Sequence, residues 1–471
     1  MLKETQLEQD YAAQEQFLAA NPTSLGLHEE ALKVLPDGVT HSGRRGEPTG
    51  VYIDHATGAY KFDVDGHRYI DYWMGHGSLL FGHAHPVIAQ AAIDQISKGT
   101  HYGGNHAGEI RWAELICKLI PSAQKVRFFS SGTEATMMAM RLARASTGKQ
   151  KIIKFGLRFH GWHDYNAVSE TGVAPSGVPQ AVADNVIVLP AEIEAVEQQL
   201  EGAHDVAAII LEADGASWGT LPNPPGFLAR LREVATEKEV VLIFDEIVSG
   251  FRYGPGGVQA LEGVTPDLTC LAKIVAGGFP GGAVAGRADL IDLLSIKAGN
   301  RYIVHHGTFN ANPLSAATGI AALSMIAAPD APEKIYGPIE EKATQLRTGF
   351  NKVFQEAGLN GQGFCYGRGS VFHVCFDPGN RQIAWPLDGD IYAPAFRENM
   401  ADPEVQARLK RGIPEPLKTQ LRLELDNHGV QLMSGMGGFV SVAHTTTDIE
   451  ETIEAFAGAV AGLQKSGWLK G

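Results

Sequence analysis

Lys273 closes an apolar run, Leu268–Ala272, and leads into Ile274-Val275-Ala276-Gly277-Gly278-Phe279-Pro280-Gly281-Gly282. Glycines at that density let a backbone approach a ligand closely. A lysine losing solvent at a strand end can be neutral enough to form an imine with a carbonyl. Asp245, with Glu246 after it, ends the most apolar run in the chain, Val240–Phe244. Open α/β folds bind ligands beyond the carboxyl ends of their strands. A carboxylate facing a pyridine nitrogen there would hold that nitrogen protonated. Ser130-Ser131-Gly132-Thr133-Glu134-Ala135 falls between an expected strand and an expected helix. Backbone N–H groups and the helix dipole make such a place an anion cradle, although an ordinary N-cap uses the same residue types. A second hydroxyl, Thr308, stands in the turn His306-Gly307-Thr308-Phe309-Asn310-Ala311-Asn312-Pro313, which enters another helix.

The elements around these residues alternate. Strands are expected at Val126–Ser130, Lys151–Phe155, Val186–Leu189, Ala207–Leu211, Val240–Phe244, Leu268–Ala272 and Ala283–Ala285. Helical patterns such as Glu134–Ser146 and Phe227–Lys238 lie between them. The expected fold class is α/β, with a mostly parallel seven-stranded sheet covered on both faces. Residues 81–335 would form this large domain. Residues 1–80, with a helix at Leu27–Leu35, a loop at Pro36–Pro48 and a hairpin-like section, would join residues 336–471 in a smaller α+β domain. The C-terminal part should hold a long first helix, a strand at Ser370–Phe376 and a closing helix at Thr447–Gln464. Polar, proline-rich Asp377–Pro416 reads as a long loop with short helices, either a lid or a surface insertion.

Composition narrows the classes. The 471 residues are 44% hydrophobic and 20% charged, with a net charge of −14. A nucleic-acid reader would show a basic face, and a membrane span needs about 18 consecutive apolar residues; neither is present in the sequence. The polar N-terminus is unlike a signal or transit peptide. Cys117, Cys270, Cys365 and Cys375 are scattered, which suits reduced thiols in the cytoplasm better than disulfides or a metal site.

Taken in order, these stretches resemble the class III aminotransferases of the pyridoxal-5′-phosphate (PLP) fold type I superfamily, and most closely the glutamate-1-semialdehyde 2,1-aminomutase branch. The matching segments include FDVDGHRYIDY, LLFGHAHP, VRFFSSGTEATMMAMRLAR, KIIKFGLRFHGWHD, VLIFDEIVSGFR, GVTPDLTCLAKIVAGGFPGGAVAGR and HHGTFNANPLSAATG. The resemblance implies that Lys273 carries PLP as a Schiff base and shuttles the substrate proton. It implies that Asp245 pairs with the pyridinium nitrogen and that Ser131, Gly132 and Thr133 bind the phosphate. Phe159 and Ile247 would pack on the two ring faces. Thr308 would complete the phosphate site of a neighbouring copy, which makes a homodimer the expected assembly.

The chain also departs from that branch. Arg44 takes the place of the arginine that binds the substrate carboxylate, and His76 stands where the aminomutases carry tryptophan. Met436 replaces their glutamate. His41, Trp162 and His163 are further candidates for the substrate side. The loss of the glutamate favours an aminotransferase working between an amino acid or amine with an anionic group and a 2-oxo acid. The alternative is an aminomutase or ammonia lyase acting on a carboxylate- or phosphonate-bearing amine.

Overall fold

Continuous apolar strands need cover on both faces, and seven of them here make one sheet. The structure is a computed structural model describing residues 4–202, 204–359, 361–376, 385–400 and 402–470. It divides into two compact units, Pro86–Tyr336 and the combination of Met1–His85 with Gly337–Gly471.

In the first of these units the strands are β1 (Lys125–Phe129), β2 (Lys151–Phe155), β3 (Val186–Leu189), β4 (Val206–Glu212), β5 (Val241–Asp245), β6 (Leu268–Ala272) and β7 (Gly282–Gly286). Their order across the sheet is β1-β7-β6-β5-β4-β2-β3. Only β7 runs antiparallel to its neighbours. The mostly parallel seven-stranded sheet is thus the expected one. All five residues of β5 and all seven of β4 are buried. Ile243, Cys270 and Val284 pack with Ala135, Met138 and Leu142 of helix α1 (Gly132–Thr147) on one face. Leu242, Phe244, Ile209 and Leu211 pack with Leu231 and Val234 of helix α2 (Phe227–Glu237) on the other. Alternation along β5 therefore turns Asp245 toward the face that carries α1.

The second unit contains the strands Ile53–Thr57, Tyr60–Asp63, Arg68–Asp71 and Val430–Gln431 in one sheet, and Gly363–Arg368, Val371–Phe376 and Gly437–Phe439 in another. Its long helices are Gly337–Glu356 and Thr446–Lys465. The helix expected at Leu27–Leu35 runs instead from Pro22 to Ala31. Pro22 supplies a preset first-turn φ, and Leu32 and Val34 beyond the helix stay exposed. Of the stretch expected to be loop-like, residues 377–384 lie outside the described residues. From Trp385 onward the chain carries short helices of the expected kind, Pro394–Met400 and Pro403–Arg411. Trp385 stacks on Phe364 with ring centroids 3.8 Å apart, and Asn351 donates to the Leu387 carbonyl at 2.9 Å. No helix among the described residues is long and apolar enough to cross a membrane.

Candidate active site

The carboxyl ends of β4 and β5 put two carboxylates side by side, because Glu212 and Asp245 are register partners. Asp245 is 4% exposed. Its Oδ2 accepts the Nδ1–H of His160 at 2.8 Å and its Oδ1 accepts the backbone N–H of Ile247 at 3.1 Å. Glu246, next in sequence, has a different task. Its carboxylate accepts from Ser249 Oγ, from the backbone N–H groups of Val258 and Gln259, and from Gln259 Nε2. It is a buried structural anchor, and of the adjacent acids only Asp245 turns toward the α1 face.

Glu212 is also buried. Its Oε1 accepts the N–H groups of Phe159 at 2.9 Å and Ser217 at 3.0 Å, and its Oε2 that of Trp218 at 2.7 Å. Ser217 and Trp218 both hold left-handed backbones, with φ of 48° and 54°. Burial raises the carboxyl of Glu212, opposed by His160. One carboxylate thus fixes two loops.

Lys273 follows β6, one strand from Asp245. Its φ is 55°, a left-handed value that costs a non-glycine residue roughly 1–2 kcal/mol. Backbone strain of this kind is concentrated at functional sites. The turn that contains it, Lys273–Ala276, is held from outside. Trp112 Nε1 donates to the Val275 carbonyl at 2.8 Å, and Thr318 Oγ1 to that of Ala276 at 2.9 Å. Burial lowers the Lys273 amine below the ordinary lysine value, while the Asp245 charge pulls the other way.

Ser131 caps α1, as one of the two expected readings had it. Its Oγ accepts the Glu134 N–H at 3.3 Å and donates to Glu134 Oε2 at 3.1 Å. With the hydroxyl so engaged, the N–H groups of Gly132 and Thr133 at the helix start are the donors available to an anion. Close packing holds this turn. A β-carbon on Gly282 would lie 2.4 Å from the Ser131 carbonyl oxygen, and one on Gly161 would lie 2.6 Å from Thr133 Oγ1. Ile247 is partly buried, whereas Phe159 is 66% exposed. Thr308 is exposed on its turn before helix α3 (Pro313–Ile326).

The substrate-side candidates fall in two places. Arg44, His41 and His76 belong to the other unit. There the His41 and His76 rings lie 5.1 Å apart, and exposed Arg44 donates from Nη1 to Thr40 Oγ1 at 3.2 Å. His76 has a φ of 56° within a left-handed turn, Met74–Gly77. Met436 follows the short turn Met433–Gly435 in the same unit. Trp162 is 81% exposed. His163 turns inward instead, with Nε2 2.7 Å from Asn166 Nδ2, and burial holds it down to about 4.

Sequence reasoning missed His160 and Glu212. The strand-end rule that found Asp245 applies equally to Glu212. Nothing local marks His160, whose partner is 85 residues away. Among the described residues no group of histidines, cysteines and carboxylates could hold a metal ion. The donors present suit a different guest. A buried carboxylate, a helix N-terminus for an anion, an apolar Ile247 and a depressed lysine fit an aldehyde-bearing heterocyclic phosphate.

Residues 42–357 match the protein family Aminotransferase class-III. The glutamate-1-semialdehyde 2,1-aminomutase of Methanopyrus kandleri is 36% identical over 453 residues, covering 94% of this chain and 98% of that protein. An omega-transaminase from Sphaerobacter thermophilus has a solved structure that is 34% identical, with a TM-score of 0.80, covering 94% of this chain and 98% of its own. A structure described as a transaminase with PLP bound is 30% identical with a TM-score of 0.81, covering 95% of this chain and 99% of its own.

Proposed function

The chain belongs to the class III aminotransferase family, and from that premise we propose that this PLP-dependent enzyme moves an amino group within one small anionic substrate, as an aminomutase. The observation that carries this choice is its near full-length likeness to curated aminomutases. It reverses the order expected from sequence, where the missing glutamate at Met436 put transamination first.

PLP supplies an aldehyde that captures amines and a ring that acidifies the adjacent C–H. The chain's own residues do the rest. Asp245 would hold the ring nitrogen protonated, and Lys273 would anchor the cofactor. Its depressed amine suits it to take a proton from the substrate carbon and return it. The N–H groups of Gly132 and Thr133, with Ser131 capping the turn, would bind the phosphate. Ile247 and Phe159 would flank the ring. Arg44, with His76 near His41, would receive the substrate's anionic group. A second copy would contribute Thr308, making the working unit a homodimer. The four free thiols suit a reducing compartment such as the cytoplasm.

Aminotransferase activity is the second reading, supported by Met436 and by the likeness to an omega-transaminase. A single-turnover assay separates the two. An aminomutase converts glutamate-1-semialdehyde, or another amine with an anionic group, to its isomer with no acceptor present. A transaminase releases a stoichiometric oxo product and stalls until a 2-oxo acid is added. Steady ammonia release from one substrate would overturn both in favour of a lyase.

A further inference from the structure

Asp71 ends the strand Arg68–Asp71, and its side chain is 0% exposed. Oδ1 takes Lys61 Nζ at 2.9 Å and accepts the backbone N–H of Trp73 at 2.9 Å. Oδ2 accepts the Nε2–H of His83 at 2.7 Å and the backbone N–H of Met74 at 3.2 Å. Burial works to raise this carboxyl, but Lys61 and His83 outweigh it and hold it down to about 2. What the carboxylate grips is a strained turn. Met74, Gly75, His76 and Gly77 have φ of 42°, 59°, 56° and 81°, one turn of left-handed helix. The Gly77 N–H closes it onto the Trp73 carbonyl at 2.9 Å. Residues with a β-carbon disfavour this conformation, so Met74 and His76 must be held in it from outside. The first N–H groups of a helical turn find no partner within it, and Asp71 supplies one to each of two. The side chains continue the line. The Trp73 ring meets that of His76 edge-on at 5.0 Å, and His76 in turn lies 5.1 Å from His41.

We propose that Asp71 is a positioning residue for His76: by holding the N–H groups of Trp73 and Met74 it fixes the left-handed turn, and the turn sets where the His76 imidazole meets the substrate's anionic group. This rests on the reading of His76 as a substrate-side residue. Lys61 and His83 have a different part, since they compensate a charge that burial alone would disfavour. An anchor for the strand would need only those two side chains, whereas the two backbone bonds serve the turn. The far side of the turn is closed by packing: a β-carbon on Gly75 would lie 2.7 Å from Ser78 Oγ and 3.2 Å from Leu79 Cγ. Asp71 is the hold on the near side. An asparagine there would put an amide N–H₂ where one oxygen now stands, facing two donors with a third.

The test is a double-mutant cycle on the holoenzyme, read as kcat and KM for consumption of glutamate-1-semialdehyde. His76→Ala should raise KM about tenfold with kcat nearly unchanged, the scale of one hydrogen bond to a charged group. Asp71→Asn should raise KM about three- to tenfold, again with little change in kcat. The double variant should match His76→Ala, because the position of an absent imidazole no longer matters. A double variant whose KM rises by the product of the two single effects overturns the proposal. So does a rise in Lys61→Met as large as in Asp71→Asn, since that variant removes the ion pair but leaves the carboxylate on the turn. A wild type that does not consume the probe overturns the proposed reaction and this inference with it. An unmoved KM in His76→Ala overturns the reading of His76 and takes this inference too. A rise there with none in Asp71→Asn removes only the role of Asp71. Hydrogen exchange of the unmutated holoenzyme, resolved to single amides, gives a reading that no misfolded variant can spoil. The Trp73 and Met74 amides should exchange at least about tenfold slower than free peptide, and exchange at the free rate overturns the proposal.

Discussion

Gly132 and Ile247 stand so close that a β-carbon on Gly132 would lie 2.6 Å from Ile247 Cδ1 and 3.3 Å from the Ala272 β-carbon. The start of α1, the segment after Asp245 and the residue before Lys273 thus meet at one point. Gly132→Ala should push Ile247 aside at a cost of roughly 1–3 kcal/mol, the range for overpacking. PLP affinity should fall about tenfold, about 1.4 kcal/mol. Thermal unfolding of the apo-protein and a cofactor titration would read the two effects separately.

Lys273→Ala should abolish turnover and the visible absorbance of lysine-bound PLP, while PLP still binds non-covalently. Lys273→Gly should do the same and also relieve the left-handed strain, leaving the apo-protein up to about 1 kcal/mol more stable than Lys273→Ala. Borohydride reduction of the wild type followed by peptide mapping should place the label on Lys273; a label on another lysine would refute the assignment.

Arg44 and Arg45 are adjacent but differently engaged. Arg45 sits 3.7 Å from Asp37 and 3.8 Å from Glu47, whereas Arg44 meets the Thr40 hydroxyl. Arg44→Ala should lower transition-state binding of the anionic substrate, read from kcat/KM, by about 1.5–3 kcal/mol, the scale of one hydrogen bond between charged groups. Stability should change by less than about 0.5 kcal/mol. Arg45→Ala should leave kcat/KM within a few-fold.

Sedimentation of the holoenzyme should show a dimer or larger assembly. Thr308→Ala should weaken PLP binding without dissociating it, as a phosphate contact lent to a neighbour requires. An active monomer would rule out that arrangement.

His444 predicts an acid weakness in its unit. It is buried, its Nδ1 accepts the Ser441 N–H at 2.9 Å, and its ring stacks on Tyr72. Burial holds it down to about 4, against an ordinary 6.5. Between those values the unfolded chain takes a proton that the folded chain refuses. Its contribution is therefore intact above about pH 6.5 and is lost as the pH falls toward 4, by on the order of 3 kcal/mol. His163 acts in the same direction in the other unit. Urea unfolding midpoints at pH 7.5 and 5 should differ accordingly, and His444→Gln should narrow the gap.

Much of this was legible in sequence because the central strands are buried on both faces. β2, β3 and β6 have the residue bounds that their apolar runs predict, and β5 begins only one residue later. Ser131 could not be assigned from sequence, since a cap and an anion cradle draw on the same chemistry, and its hydroxyl in fact caps. His160 was invisible because its meaning comes from a residue on another strand. The left-handed turn Met74–Gly77 was equally hidden: Met74 and His76 take φ values of 42° and 56° that their residue types disfavour.

The shared anchor at Glu212 has a consequence for anyone who would redesign this protein. The loop with Phe159 and the loop with Ser217 and Trp218 hang from the same two oxygen atoms, so neither can be exchanged as an independent cassette. Grafting a relative's 213–223 loop would move the platform under Phe159 even if no residue near Phe159 were altered. Substitutions in the two loops should accordingly combine non-additively, and a library that varies one while freezing the other will sample mostly mismatched pairs.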